Sequence, residues 1–246
     1  MAKFWALAWL LLAAPAAATE LTVSAASSLS DSFRAIARAY QQAHPDHRVA
    51  LNFAASGVLL QQIARGAPVD VVAMADLETM ALAQREGLID PATRHTFASN
   101  TLWLVLPAHA TQRPRSLAAL AAAPLQRVAI GNPDSVPAGR YARRALQHAG
   151  LWTALEARMI TTQNVRQSLN YVVRGEVDAG FVYASDLHSS SPRLRQAFQV
   201  PVPGGIHYPL AVVKNSRNPE QARHFIAFVR SEQGQAILRA HGFGSP

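Results

Sequence analysis

Short apolar strands alternate with amphipathic helices along this chain, and that alternation limits the possible folds more than any other feature. Runs at 21–25, 49–53 and 69–73 predict strands, and a segment with an apolar period of 3.6 residues follows each of them. Gly66 and Gly87 directly follow two of these helices, as is typical of helix C′ positions. The pattern therefore predicts an α/β protein with doubly wound, mostly parallel sheets.

A second series of the same kind begins near the middle of the chain. Strands are predicted at 102–106, 128–131 and 177–183, and a further strand at 210–213 precedes the C-terminal helices. Residues 90–100, between the two series, are predicted to form a loop. Two series without a flexible linker between them predict two lobes joined by strands rather than by a tail.

Composition removes several classes of protein from consideration. Of the 246 residues, 50% are hydrophobic and none is cysteine, which excludes a disordered chain, a disulfide scaffold and any cysteine nucleophile or cysteine-bound metal. The formal net charge is +8, but the arginines are dispersed, and the densest group (Arg140, Arg143 and Arg144) falls on one predicted helix. Dispersed charge of this kind favours a solvated helix face, so no nucleic-acid partner is expected.

The N-terminal residues indicate export. Lys3 provides a positive start, residues 4–13 form an uncharged apolar run, and residues 14–18 supply the small side chains that precede a signal-peptidase site. About ten apolar residues are too few to span a bilayer, which takes about 20. We therefore predict a signal peptide at 1–18, cleaved after Ala18, and a mature protein that works outside the cytoplasm.

Three predicted strand-to-helix turns carry small residues that suit an anion. Ser28 follows the first strand, Ser56 follows the second, and Ala138 lies at the start of a helix in the second series. The N–H groups at a helix N-terminus and the positive end of its dipole bind anions, and small residues let the anion reach the backbone. The alternative is that both serines only cap their helices, which is a common role for serine.

The sequence lacks the usual parts of an enzyme. Neither of these serines stands in a nucleophile elbow of the G-x-S-x-G type, and the chain has no phosphate loop and no G-x-G-x-x-G motif. His44 and His47 flank a Pro-Asp pair that is typical of a surface turn, without a carboxylate partner for a metal. Asp70 and Asp76 are interpreted as carboxylates that anchor loops. We expect a binding protein, and a secreted serine hydrolase is the alternative from another class.

Six motifs of the chain are informative when they are taken together. They are LTVSAASSL at 21–29, FAASG at 53–57, GAPVD at 66–70, GNPDSVPAGRYA at 131–142, NVR at 164–166 and GFVYASD at 180–186. With these motifs the chain resembles a known family, the periplasmic molybdate-binding proteins that feed an ABC transporter. The resemblance implies the class II periplasmic binding fold, with the anion in a cleft between two α/β lobes. The first lobe is expected to comprise 19–101 and 206–246, and the second 102–205.

The resemblance also implies which residues bind the anion. Hydroxyls and amides of Ser28 and Ser56 are expected to contact it from the first lobe, and the backbone N–H groups of Ala138 and Val165 with the Tyr183 hydroxyl from the second. Molybdate, or tungstate, would be held as an oxyanion with no direct bonds to the metal, and no cofactor is expected. Neutral donors in a dry cavity can satisfy such an anion and reject one that carries its own proton.

Further expectations concern partners and rival ligands. The resemblance implies a monomer that delivers its anion to an ABC permease in the inner membrane. Sulfate or another tetrahedral oxyanion is the alternative ligand, and the predicted signal peptide argues against the sensor domain of a transcriptional regulator.

Two positions depart from the family pattern, with Ser27 where alanine is usual and Gly57 where serine is usual. Arg140 and Arg166, next to predicted contacts, are expected to be exposed or paired.

Overall fold

The computed structural model describes residues 19–188 and 191–246, which form ten strands and ten α-helices. The strands are β1 (Thr19–Ala26), β2 (His47–Ala54), β3 (Val71–Ala73), β4 (His95–Asn100), β5 (Leu102–Pro107), β6 (Val128–Gly131), β7 (Met159–Thr162), β8 (Ala179–Tyr183), β9 (Leu194–Val200) and β10 (Ile206–Val212). The helices are α1 (Ser30–Ala43), α2 (Ser56–Ala64), α3 (Leu77–Arg85), α4 (Leu117–Ala122), α5 (Pro137–His148), α6 (Trp152–Leu155), α7 (Val165–Val173), α8 (Ala184–His188), α9 (Pro219–Arg230) and α10 (Glu232–Ala240). The predicted signal peptide at 1–18 lies outside the described residues.

The strands form two five-stranded sheets, in the orders β2-β1-β3-β10-β4 and β7-β6-β8-β5-β9. In the first sheet β10 runs against the other four strands, and in the second β5 does so. The sheets are therefore mixed, although four strands of each share one direction. We call the first sheet with its helices the first lobe and the second sheet with its helices the second lobe.

The chain passes between the two sheets at two neighbouring places. Thr101 alone separates β4 from β5, and residues 201–205 separate β9 from β10. The two crossings lie side by side, because Leu102 pairs with Val200 in the second sheet and Asn100 pairs with Ile206 in the first. The predicted two-lobed α/β fold is confirmed, with strands as the connection between the lobes.

Helices cover both faces of the first sheet, as expected of a doubly wound arrangement. Val71 and Ala73 point into the core beneath α1 and α9, whereas Val72, between them, packs against α2 and α3. Such alternation follows from the two-residue period of a strand, and burial on both faces explains why β3 is continuously apolar. Within the described ranges, no helix is both long and apolar enough to cross a bilayer.

Several local predictions can be compared with the structure. Gly66 and Gly87 have positive φ behind their helices, which confirms them as C′ residues, and Gly150 and Gly175 occupy the same position behind α5 and α7. The predicted loop at 90–100 is wrong in part, because β4 occupies 95–100. The sequence of β4, HTFASN, is too polar to suggest a strand, yet its Phe97 is buried in the core and β10 pairs with it.

The start of α5 is seated tightly on the end of β6. A Cβ atom added to Gly139 would lie 1.7 Å from the carbonyl oxygen of Gly131. Backbone atoms cannot move aside as a flexible side chain can, so only glycine permits this approach. The contact fixes the N-terminal turn of α5 relative to the second sheet.

We expect Gly139→Ala to lower the free energy of unfolding by at least about 2 kcal/mol, since the overlap outweighs the roughly 1 kcal/mol gained in helix propensity. Arg143→Ala on the same helix removes only a partly exposed pair with Asp134, at 3.4 Å, and is expected to change stability by less than about 0.5 kcal/mol. Urea unfolding of both variants measures the difference. Equal stability of the two variants would contradict the tight seating of α5.

Candidate functional site

Ser28 lies in a 3-10 turn between β1 and α1, and its hydroxyl belongs to a buried hydrogen-bond chain. The Asn100 side-chain amide donates to the Tyr208 hydroxyl at 3.3 Å, and the Tyr208 and Ser28 hydroxyls are 3.0 Å apart. Because the Tyr208 hydroxyl accepts a hydrogen bond from Asn100, it can donate its own proton to a hydrogen bond with Ser28 Oγ. The Ser28 O–H then remains available as a donor to a ligand.

Ser56 is the first residue of α2 and is fully buried. Its Oγ accepts a hydrogen bond from the Ala75 N–H at 3.0 Å, so its own proton can be donated elsewhere. The alternative of simple capping is not supported, because the N-cap residues of these two turns are Ala26 and Ala55, and neither Ser28 nor Ser56 makes a capping bond. Both serines therefore present donors from the edge of the first sheet.

The second lobe contributes two helix N-termini. Ala138 is the second residue of α5 and Val165 is the first residue of α7, and both are buried. The N–H groups of a first helical turn lack intrahelical partners and lie at the positive end of the helix dipole. The Asn164 side chain caps α7 by accepting a hydrogen bond from the Gln167 N–H, so the cap does not engage the N–H of Val165.

Tyr183 ends β8, and its hydroxyl is the most informative atom of the site. The residue is 1% exposed, and the hydroxyl finds no hydrogen-bond partner within the described part of the chain. Burial, reinforced by the nearby Tyr208 and Tyr141, raises its pKa well above the usual value, so it stays a neutral donor. An unpaired buried hydroxyl costs about 1–3 kcal/mol, which a ligand oxygen that accepts its proton would offset.

Contacts between the lobes bring these residues together. The Tyr183 and Tyr208 rings are 5.9 Å apart, which places the Tyr183 ring next to the partner of Ser28. The Gly57 N–H donates to the carbonyl of Ser135 at 3.0 Å, which joins the residue after Ser56 to the segment before α5. These contacts place Tyr183 near the partner of Ser28, and Ser56 near the turn that precedes Ala138. The roles of the five predicted residues as anion contacts stay predictions.

Two arginines next to these donors bridge the lobes. Arg140, on α5, donates to Thr79 Oγ1 at 3.0 Å and lies 3.6 Å from the Asp76 carboxylate in the first lobe. Arg166, on α7, donates to the Asp31 carboxylate at 2.6 Å. The paired state expected of both arginines is found, and their charges are matched by carboxylates. The five predicted anion contacts, by contrast, are neutral hydroxyl and backbone N–H groups.

Asp186 supports the second-lobe side of the site. Its Oδ2 accepts from the Tyr183 N–H at 3.0 Å, and its Oδ1 is 3.3 Å from Arg166 Nε. Burial raises the pKa of this carboxyl to about 6, against the opposing effects of the Arg166 charge and the Tyr183 N–H. The carboxylate holds the end of β8 and the start of α7 in one arrangement.

A small cavity opens between the lobes beside Ser28. It has a volume of about 140 Å³, and its lining includes Asp31 from the first lobe and Arg166, Ser185 and His188 from the second. Ser28 is hydrogen-bonded to a tyrosine rather than to a histidine. The geometry therefore gives no support to a serine nucleophile. In the described ranges, no cluster of three metal-ligating side chains occurs either.

Sequence reasoning missed the residues that hold the donors in place. Tyr208 is 180 residues from its partner Ser28, and Asn100 is 108 residues from its partner Tyr208. No local sequence pattern therefore marks either residue. Asp186 lies inside one of the motifs quoted above, and that motif was the one available signal for it. Asp70 is confirmed as a loop anchor, because it accepts from the Thr22 N–H at 2.8 Å and from the Ser216 hydroxyl at 2.7 Å.

Comparison with known proteins assigns the family. Residues 21–244 match the family described as bacterial extracellular solute-binding protein. The chain belongs to this family. Membership in this extracellular solute-binding family indicates an exported protein and confirms that the chain is a solute-binding protein rather than an enzyme.

Relatives and solved structures agree with the family. The molybdate-binding protein ModA of Escherichia coli is 32% identical over 229 residues, which are 91% of this chain and 88% of that protein. The periplasmic molybdate-binding protein of Azotobacter vinelandii superposes with a TM-score of 0.82 at 23% identity, covering 92% of this chain and 99% of that one. The sulfate-binding protein SubI of Mycobacterium tuberculosis superposes with a TM-score of 0.78 at 18% identity, covering 92% of this chain and 86% of that one. At such identities the two structures show the fold alone.

Two tyrosines of the site provide a test of its hydrogen bonding. In the ligand-free protein Tyr183→Phe removes an unpaired hydroxyl and should leave the free energy of unfolding unchanged or raise it by up to about 1 kcal/mol. Tyr208→Phe removes the partner of Ser28 and Asn100 and should cost about 1–3 kcal/mol. Chemical unfolding of both variants decides the matter. An equal loss of unfolding free energy in the two variants would mean that the Tyr183 hydroxyl has a hydrogen-bond partner within the protein.

Proposed function

We propose that this solute-binding protein captures molybdate, and also tungstate, in the cleft between its lobes and delivers it to an ABC permease. The observation that carries the proposal is the buried, unpaired Tyr183 hydroxyl, whose ring lies 5.9 Å from that of Tyr208, the hydrogen-bond partner of Ser28. The Escherichia coli relative, 32% identical over most of the chain, is a molybdate-binding protein. The lobes are taken as 19–101 with 206–246, and 102–205.

The proposed contacts are donors only. Ser28 and Ser56 give O–H groups from the first lobe, and Ala138 and Val165 give backbone N–H groups, with the Tyr183 O–H, from the second. A fully deprotonated tetrahedral oxyanion accepts all of these bonds, whereas hydrogen phosphate brings a proton that finds no acceptor. The molybdenum itself makes no bond to the protein. Selection then depends on cavity size and on the number of donors that reach the anion at once.

Export and delivery complete the proposal. A signal peptide at 1–18 directs the chain to the periplasm, where a monomer carries the anion to a permease in the inner membrane. Sulfate is the alternative ligand, because a sulfate-binding protein shares the fold. Titration calorimetry of the mature protein with molybdate, tungstate, sulfate and phosphate tests the choice. Tighter binding of sulfate than of molybdate would overturn the proposed ligand.

Serine substitutions test the first-lobe contacts. Ser28→Ala and Ser56→Ala are each expected to weaken molybdate binding by about 1.5–3 kcal/mol, the range for a hydrogen bond to a charged group. Ser32→Ala is the matched control, because this serine is buried nearby and donates to the carbonyl of Leu29 at 3.1 Å. Calorimetry should give the control wild-type affinity. Wild-type affinity in all three variants would exclude both serines as contacts.

Release kinetics test the second-lobe side chain. The Tyr183 hydroxyl meets the anion only in the closed arrangement, so Tyr183→Phe is expected to speed molybdate release about tenfold while association changes little. Tyr171→Phe is the control, since that hydroxyl accepts from the Gln167 side chain at 3.1 Å on α7. Stopped-flow dissociation measures both. An unchanged release rate in Tyr183→Phe would remove this hydroxyl from the site.

A further inference from the structure

A backbone hydrogen bond joins the lobes next to Ser56. The N–H of Gly57, the second residue of α2, donates to the carbonyl oxygen of Ser135 at 3.0 Å. Ser135 lies in the turn between β6 and α5, shortly before Ala138. The bond therefore spans the point where a proposed contact of the first lobe meets one of the second.

The close approach requires that residue 57 has no side chain. A Cβ atom there would lie 2.8 Å from the oxygen and 2.9 Å from the Cα of Ser135, both closer than real contacts allow. Gly57 has no positive φ, so its backbone conformation alone would accept any L-residue. Glycine also weakens a helix relative to alanine. Its presence at this position is explained by the neighbouring lobe and not by the helix that contains it.

Neither side of this contact can yield easily. On the second lobe, the Ser135 N–H donates to the carbonyl of Asn132 at 3.1 Å, and the Asp134 N–H donates to the Asn132 side chain at 3.0 Å. On the first lobe, Ser56 is held through its bond to the Ala75 N–H. With both turns fixed, an added side chain at 57 is accommodated by moving the lobes apart.

We propose that Gly57 and Ser135 form a backbone latch that sets how far the lobes close over the anion. The inference rests on the proposed function, because closure around an oxyanion is what the latch controls. If the lobes stop a few tenths of an ångström short, donors from the two lobes no longer reach one anion together. The anion that fits the closed site best loses the most hydrogen bonds. We therefore expect molybdate to lose more affinity than the smaller sulfate.

The test is Gly57→Ala, with molybdate and sulfate titrated in parallel. We expect the molybdate Kd to rise about tenfold or more, mainly through faster release, and the ratio of sulfate Kd to molybdate Kd to fall. The melting temperature of the ligand-free protein should be unchanged or higher, because open lobes relieve the overlap and alanine favours the helix. Weaker binding without loss of stability distinguishes the latch from damage to the fold.

Two control variants separate crowding between lobes from crowding within one lobe. A Cβ on Gly234 would lie 2.3 Å from the carbonyl oxygen of Phe228, inside the first lobe. Gly234→Ala should therefore lower the melting temperature and leave the affinity for molybdate unchanged. Ser135→Ala keeps the carbonyl that accepts the bond and should match the wild type in both measurements.

The outcomes distinguish the latch from the function on which it rests. Wild-type protein that binds none of the tested oxyanions would overturn both. If the wild type binds molybdate and Gly57→Ala binds it equally well, only the latch fails. A melting temperature of Gly57→Ala that falls together with its affinity would also overturn the latch, since local damage would then explain the weaker binding.

Discussion

The two adjacent strand crossings are the constraint on which the rest of this structure depends. Because β4 continues into β5 through one residue, and β10 follows β9 beside it, each lobe ends where the other begins. The sheets are therefore tethered at one place, and any rotation between them has to occur about these crossings. A site divided between them is therefore assembled from fixed halves, and each half can be rigid without preventing a ligand from entering.

Rigidity within each half is visible in how the donors are held. Ser56 is bonded to a backbone amide next to β3, and Tyr183 is held through the carboxylate of Asp186. The cations near the site take part in pairs between the lobes, with Arg166 contacting Asp31 and Asp186 at once. These ion pairs join residues of the two lobes. Partly exposed ion pairs are weakened by salt, so a higher ionic strength is expected to weaken these contacts between the lobes.

The parts of this fold that the sequence predicted are those set by local rules. A glycine behind a helix adopts positive φ for reasons internal to its own turn, and Gly66 needs no distant partner to be recognised. Ser28 and Ser56 could be selected as candidates because a small polar residue at a strand-to-helix turn suits an anion whatever lies elsewhere in the chain. By contrast, β4 carries too little apolar pattern, and its identity depends on β10, more than a hundred residues later.

Asn100 lies at one of the crossings and joins it to the site. Its side-chain amide donates to Ser185 in the second lobe and to Tyr208 in the first, and Tyr208 meets Ser28. Of these residues only Ser185 belongs to the second lobe, so rotation of the lobes about the crossing would lengthen the bond from Asn100 to Ser185. The bonds from Asn100 to Tyr208 and from Tyr208 to Ser28 both lie within the first lobe and would be kept. An open first lobe would thus present an already oriented hydroxyl at Ser28 before any solute arrives.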